Sequence, residues 1–530
     1  MTNTKTIARN SGWYGIEQAV GLISNLVTSI AIARTLGPSK NAYLVYISYI
    51  AYVASNLGSL GIPATTSKYM AEFIGLGDRG TARYIYFRTL LLQVCIASVA
   101  TAGVLAWTLH DAPADYRVTA ILIVLSIWPS MVNSISSMAN MATEDLATNL
   151  PASITSTLVY FVAISASVVL HWGVVGIGAA LFLMRAIDFL VRFFPTMKRI
   201  LSWETTHVQP AGLSNRMISF AWQSVSTMLA SLIVWERFEL LLLKKLCPDV
   251  NQMSYYSTAF SMADRLLLAS LIFGQATAAT IFVQYGRDKS RLPLITASTF
   301  RYLALIAIPL HFLAVSLAVP ALLLMYGRAW AGAAAVATLA PLLCLPKAFI
   351  RPAQSILQGH ERQSFVIWAT VIAAAIDVGV TWWLVRTHGA VGACIGSGAA
   401  QFTAVGLMWA VSIKLYKVRL PWLFLAKVVL ISTVASLAAH YVAGMSALAS
   451  VSAHFAGLQF APLLGLLLGL LASVIIFFVL FYLFRVLQEE DRSRFESLTR
   501  MLPGSLAKPA SKMLSILVPT AQVDANPANV

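Results

Sequence analysis

Several charged residues of this sequence fall inside long apolar stretches, where a charge needs a reason to be. Lys347 and Arg351 lie four positions apart with no acid in their own stretch. Arg185, Asp188 and Arg192 follow one another at three- and four-residue spacing. Glu236, Arg237 and Glu239 cluster, Asp264 and Arg265 are adjacent, Asp377 stands alone, and Glu17 sits among the small residues of "GWYGIEQAVG". On insertion scales a charge at the centre of a membrane helix costs about 2.5–3.5 kcal/mol. Such residues therefore call for a partner or a watery cavity, and are candidate functional groups.

Their types define the chemistry on offer. On one helix, Lys347 and Arg351 share a face and repel each other, so an anionic ligand or an acid from another element has to offset them. Arginine suits phosphate because its planar fork donates two parallel hydrogen bonds. Arg265, Arg185 and Arg237 join these two as a candidate set for an anionic headgroup. Glu17, Asp377, Asp264, Asp188 and Glu236 are candidates for charge pairing or ion coupling. Helical spacing offers Asp188 both Arg185 and Arg192. Asp264 and Arg265 point about 100° apart on a helix, so they cannot face one partner together. Arg192 and Glu239 lie near stretch ends, where long side chains snorkel to water. Tyr46, Tyr256 and Gln275 could contact a sugar; an interfacial aromatic belt is the competing reading of the tyrosines.

Chemistry of other kinds finds no motif. There is no H-E-x-x-H, P-loop or G-x-S-x-G pattern. His110, His171 and His388 fall at stretch ends, away from cysteines and acids. Cys95, Cys247, Cys344 and Cys394 are far apart and read as small apolar packers. No metal site, cofactor or enzymatic activity is expected. Without an ATP site, any transport would run on an ion gradient or on cargo supply.

The elements that position these groups follow from composition. Hydrophobic residues make up 58% and charged residues 11%, against about 25% charged in a soluble domain; mean hydropathy is +0.76. Apolar runs of span length recur without the alternation of barrel strands, as in "PLLGLLLGLLASVIIFFVLFYLF". The expectation is an all-α polytopic membrane protein of about 14 transmembrane helices. They are placed near 12–33, 41–63, 84–109, 117–141, 149–170, 174–197, 214–243, 253–280, 297–325, 331–357, 364–386, 389–413, 421–444 and 460–486. The first run is too long and too polar for a signal peptide. Lys68, Arg79, Arg83, Lys198, Arg199, Arg216, Arg287, Lys289 and Arg291 collect on one side with the N-terminus. This bias predicts both termini in the cytoplasm. The net charge of +16 then implies attraction to anionic lipid at the cytoplasmic face. Cations scattered over many short loops argue against nucleic acid.

The chain also repeats itself. "ARTLGPSKNAYLVY" at 33–46 has a looser copy, "LKKLCPDVNQMSYY", at 243–256. "YFRTLLL" near 86 is matched by "TFRYLAL" near 299, and "LHWGVVGIGAA" near 170 by "RTHGAVGACIG" near 386, which aligns Gly173 with Gly389 and Gly176 with Gly392. Similar offsets imply internal duplication. Each copy holds an even number of spans, so the copies run parallel. The expected organisation is a six-helix lobe at 1–200, a cytoplasmic loop at 201–213, a second six-helix lobe at 214–414 and two further helices within 421–486. A tail at 487–530 is expected to be amphipathic at first and then disordered.

These residues also resemble a known family. "IARTLGP", the span ending "LGSLGIPATTSKYMAE" and the later "LQGHERQ" resemble bacterial polysaccharide exporters. These are the O-antigen-type flippases of the multidrug/oligosaccharidyl-lipid/polysaccharide superfamily. The resemblance covers about 415 residues of the two lobes and contains no catalytic motif. It implies two lobes around a central cavity that opens to each face in turn, in the inner membrane. The implied cargo is a lipid-linked diphosphate oligosaccharide for cell-surface polysaccharide such as lipopolysaccharide O-antigen, with other polysaccharide-assembly membrane proteins as partners. A lipid II-type flippase, a drug/cation antiporter of the same superfamily and a membrane glycosyltransferase or polymerase are the alternatives.

Overall fold

The structure is a computed structural model describing residues 4–205, 210–287, 289–360, 362–416, 420–448, 454–455 and 458–487. In chain order the helices are α1 (Thr4–Gly58), α2 (Ile62–Gly75), α3 (Arg79–Asp111), α4 (Arg117–Leu125), α5 (Ile127–Ala142), α6 (Asn149–Val169), α7 (Gly173–Leu201) and α8 (Leu213–Val234). They continue as α9 (Glu239–Leu246), α10 (Asn251–Arg287), α11 (Leu292–Tyr326), α12 (Ala334–Cys344), α13 (Ile350–Gly359), α14 (Gln363–Tyr416), α15 (Trp422–Leu448) and α16 (Phe460–Leu483). Among the described residues, the exception to helix and turn is an antiparallel pair of two-residue strands, His454–Phe455 with Leu458–Gln459.

Among the described residues, ten helical stretches are long and apolar enough to cross a membrane, counting Ala114–Ala142 and Arg328–Gly359 as one each, and α1 with α2, bent by 42°, forms an eleventh candidate. The expected count of 14 is larger because α1 and α14 each contain two of the predicted spans and because α10, which holds the 253–280 run, is not among these candidates. At about 1.5 Å per residue, an unbroken helix of 55 residues such as α1 would be far longer than the ~30 Å hydrocarbon core. Gly37 breaks α1 and Gly389 breaks α14, each with a positive φ.

In α14 the consequence is a helical hairpin. A Cβ on Gly392 would sit 2.6 Å from the Leu384 backbone, and one on Gly396 would collide with the Thr381 hydroxyl. The limbs before and after Gly389 therefore pack antiparallel at a distance only glycine permits. The α6–α7 hairpin repeats the device. Gly173 has φ 59°, and a Cβ on Gly176 would collide with Ser167 on the incoming limb. The two glycine pairs that the repeat aligns thus do the same job at the same kind of corner.

Three predicted spans are interrupted. The 117–141 run is divided at Ser126, and the 214–243 run at 235–238. The 331–357 run passes through 3₁₀ turns at Arg328–Ala333 and Leu345–Phe349, where Pro341, Pro346 and Pro352 withhold backbone donors. Helix starts follow local chemistry: Asp78 caps α3 by accepting from the Thr81 amide at 2.8 Å.

The chain divides into two compact units. The first takes in the described residues of Met1–Ala259, Met325–Val336 and Ile367–Ala404, and the second those of Phe260–Leu324, Ala337–Val366 and Val405–Val530. In the second unit α15 and α16 pack closely and dock on α11 through small residues. The Ser436 hydroxyl donates to the Phe312 carbonyl at 2.7 Å, and a Cβ on Gly469 would be 2.8 Å from Leu317 and 3.0 Å from the Ala439 carbonyl. A second anchor is aromatic: Phe300 packs on Phe349 and Trp409, whose indole donates to the Phe349 carbonyl at 2.9 Å.

Candidate functional site

α7 carries arginines at a seven-residue interval, Arg185, Arg192 and Arg199. Seven residues is close to two helical turns, so the three lie along one side of the helix. Arg192 donates to Asp188 at 2.8 Å, to Ser137 at 3.0 Å and to Ser153 at 3.1 Å. Asp188 also accepts from Asn133 at 2.6 Å. Arg199 pairs with Asp145 and donates to Asn140 at 2.6 Å; Asn140 accepts from Thr196 at 3.0 Å and donates to Asn149 at 2.8 Å. Two of the three cations are therefore matched charge for charge inside the α5–α6–α7 packing. Arg192 is only 7% exposed, which corrects the expectation that it snorkels: its partners reach it within the helix bundle. Asp188 has chosen Arg192 over Arg185.

Arg185 is the exception. It is exposed, and among the described residues no carboxylate pairs with it. It lines a cleft of about 100 Å³ with Ser48, Tyr52 and Ser55 of α1, and with Ser126 and Ser130 at the start of α5. A guanidinium fork among hydroxyls is a donor set for phosphate oxygens.

A second centre lies in the same compact unit and has the opposite character. Glu239 opens α9, just after the helix break at 235–238, and is 0% exposed. The expectation that it snorkels is wrong because that break turns its carboxyl into the core. It faces Asp377 of α14, Tyr256 of α10 and Ser397 in the second limb of α14. The Thr381 hydroxyl donates to Asp377 at 2.9 Å. Neither oxygen of Glu239, nor Oδ2 of Asp377, makes a hydrogen bond of regular geometry. Two carboxyls held together away from water need a shared proton or a bound cation between them. Among the described residues no group of three or more His, Cys, Asp and Glu is arranged to hold a metal ion.

Lys347 does have an acid: it donates to Asp264 at 2.8 Å and lies over the Phe260 ring. Asp264 comes from α10, so spacing within the 331–357 run could not reveal it. Lys347 lies in the 3₁₀ turn and Arg351 in α13, so the single continuous helix face expected for them is not formed. Arg351 is exposed, with its Cβ against Gly274. Arg237 donates to Ser257 at 2.8 Å; Glu236 and Arg265 are half-buried. Tyr46 and Tyr256 are buried, the first against Tyr43 with Lys244 over its ring and the second beside Glu239. Neither offers a surface to a glycan in this structure. The side chains of Glu17 and Gln275 lie outside the described residues. The cysteines are free, with Cys344 and Cys394 buried and Cys95 exposed.

Sequence reasoning missed Glu239 as a core residue. Trp235, Glu236, Arg237 and Phe238 contain no glycine or proline, so nothing local announced the break that buries it.

No protein-family profile matches the sequence, and no curated protein matches it. Solved structures do. The lipid II flippase MurJ in an inward closed conformation matches with a TM-score of 0.64 at 14% identity, over 88% of this chain and 98% of that one. An inward-facing multidrug resistance MATE transporter of the MOP superfamily matches with a TM-score of 0.62 at 16% identity, over 74% of this chain and 94% of that one. A MOP superfamily transporter from Pyrococcus furiosus, described as having a binding pocket of reverse polarity, gives a TM-score of 0.57 at 16% identity, over 78% and 96% of the two chains. The chain has the all-helical, polytopic membrane fold of the MOP superfamily flippases and transporters.

Proposed function

We propose that this protein is an alternating-access exporter that moves a lipid-linked diphosphate oligosaccharide across the inner membrane for cell-surface polysaccharide synthesis, as O-antigen-type flippases do. The observation that carries the reading is Arg185: an arginine without an acid, in a hydroxyl-lined cleft of one compact unit. Its donors suit a diphosphate. A carrier of cationic drugs would instead need an open acidic cleft, and Glu239 and Asp377, the acids brought together here, are both buried. MurJ supports the lipid-linked class of cargo, and a lipid II-type cargo shares the lipid diphosphate with the proposed one.

In this reading Arg185 is the headgroup contact. Glu239 and Asp377 couple movement to a proton or small cation. The lobes at 1–200 and 214–414 are the moving parts; the matched corners at Gly173 and Gly389 support the duplication. Both termini lie in the cytoplasm, helices α15 and α16 are additions to the duplicated unit, and polysaccharide-assembly proteins are its membrane partners.

The test is reconstitution in vesicles with a fluorescent polyprenyl-diphosphate oligosaccharide. The reading expects protein-dependent translocation, measured by quenching of outward-facing label. Efflux of a cationic dye with no movement of the glycolipid would replace it with the antiporter reading.

A further inference from the structure

A second cleft, of about 160 Å³, opens between α2, α3 and α8. Two contacts hold α2 and α8 together beside it. Gly61 meets the α8 backbone so closely that a Cβ would lie 2.5 Å from the Ala221 carbonyl. Two turns on, Lys68 lies 3.9 Å from the Phe220 ring centre, and one guanidinium nitrogen of Arg216 donates to both Glu72 oxygens at 2.9 and 3.0 Å. The wall is apolar, with Ile85 and Leu92 of α3 facing Met217 and Ile218 of α8. Ile218 is 67% exposed and Trp222, one turn further, 70%. On helices with the length and hydropathy of membrane spans, such faces meet hydrocarbon.

The polar part of this cleft is Arg88, with Tyr84 and Ser214. Arg88 is exposed, donates to the Tyr84 hydroxyl and, among the described residues, meets no carboxylate. The nearby cations are already engaged: Arg216 with Glu72, and Arg83 with the Leu201 and Trp203 carbonyls. Arg88 lies about 13 Å along α3 from Arg79, which puts its stem beside hydrocarbon and its head within reach of the headgroup layer. An uncompensated guanidinium at that depth lacks an anion, and the bilayer's own phosphates are the anions at hand.

We propose that this cleft binds one anionic glycerophospholipid from the leaflet on the side of the α2–α3 turn. Arg88 and the Tyr84 hydroxyl hold the phosphate, Ser214 lies beside it, and an acyl chain lies between α3 and α8 over Ile85, Leu92 and Met217. The site is separate from the Arg185 cleft, and the proposal stands whether or not the cargo assigned above is correct. Because its walls come from both α2–α3 and α8, a bound lipid braces those helices against each other.

Native mass spectrometry of the full-length protein, delipidated in detergent and titrated with phosphatidylglycerol, tests it. The wild type should retain one phosphatidylglycerol at least about tenfold more tightly than Arg88→Gln, the loss expected for a charge-assisted contact. Ile218→Trp, which narrows the cleft, should weaken retention similarly with Arg88 intact, and Arg88→Lys should fall between. Phosphatidylcholine with the same chains should bind more weakly than phosphatidylglycerol, and glycerol 3-phosphate should not displace it. Circular dichroism melting of each variant separates lost binding from lost fold, since Arg88 and Ile218 are both exposed. Equal retention by the wild type and both folded variants would overturn the proposal. Displacement by glycerol 3-phosphate would reduce the site to a phosphate site, and stronger retention of undecaprenyl phosphate would assign it to cargo; either result also overturns it.

Discussion

Two charged regions of the first compact unit solve the problem of intramembrane charge in opposite ways. Along α7, two of the three arginines are matched by acids, Arg192 with Asp188 and Arg199 with Asp145, and amides complete both pairs. Around α9 and α14, two acids are brought together, Glu239 and Asp377, with Tyr256, Thr381 and Ser397 for company, and among the described residues no cation forms an ion pair with either. The matched region is complete as it stands and reads as architecture. The acid pair needs a shared proton or a bound cation, which is the basis for proposing it as the coupling site. Charge inside a membrane is therefore informative through its compensation more than through its presence.

The comparison breaks first, and hardest, at Arg192. Replacing Asp188 or Arg192 singly by Leu should cost about 3–5 kcal/mol, because each leaves a buried charge alone. The double replacement should recover much of that loss. Thermal unfolding in detergent measures both. A single variant as stable as the wild type would mean that the α7 network is not structural.

The acid pair should respond the other way. Glu239→Gln and Asp377→Asn each remove one of two like charges, so the folded protein should persist without a comparable loss. What should vanish is stabilisation by the coupling ion. A cation at a hundred times its dissociation constant raises stability by about 2.7 kcal/mol, and the rise in unfolding temperature should disappear in either variant. Melting in sodium, in potassium and across a pH series identifies the ion; unchanged ion dependence in Glu239→Gln would remove this centre from coupling.

Much of this arrangement could be read from residue order. The all-helical membrane class followed from run length and charge content, and the glycine landmarks near 173 and 389 marked corners that the structure builds alike. Asp377, Arg185 and Asp188 were identifiable as charges within spans. Partner choice was not. Lys347 is neutralised by Asp264, 83 residues away, and no helical periodicity reports a contact between α10 and a 3₁₀ turn. Glu239 was misread because helix propensity at 235–238 is ordinary; tertiary packing decides the break there. Tyr46 and Tyr256 looked like surface aromatics because a periodic apolar run does not say which face meets lipid and which meets another helix.

The smallest expected effect sharpens the contrast between exposed and buried pairs. One guanidinium nitrogen of Arg216 reaches both carboxylate oxygens of Glu72, at 2.9 and 3.0 Å, yet both residues are substantially exposed. Glu72→Gln should cost no more than about 1 kcal/mol, several-fold less than either α7 variant in the same melt. A larger loss would show that this contact between α2 and α8 is built into the fold's stability.

The central claim concerns the one α7 arginine that the network leaves without an acid. Binding of a polyprenyl-diphosphate oligosaccharide to purified protein, by isothermal titration in detergent, tests it directly in wild type, Arg185→Ala and Lys347→Ala. Arg185→Ala should weaken binding at least about tenfold, as expected for the loss of a charge-assisted phosphate contact, while its melting stays within about 0.5 kcal/mol of wild type. Lys347→Ala, whose partner is Asp264, should weaken it less. Wild-type affinity in Arg185→Ala would contradict the account.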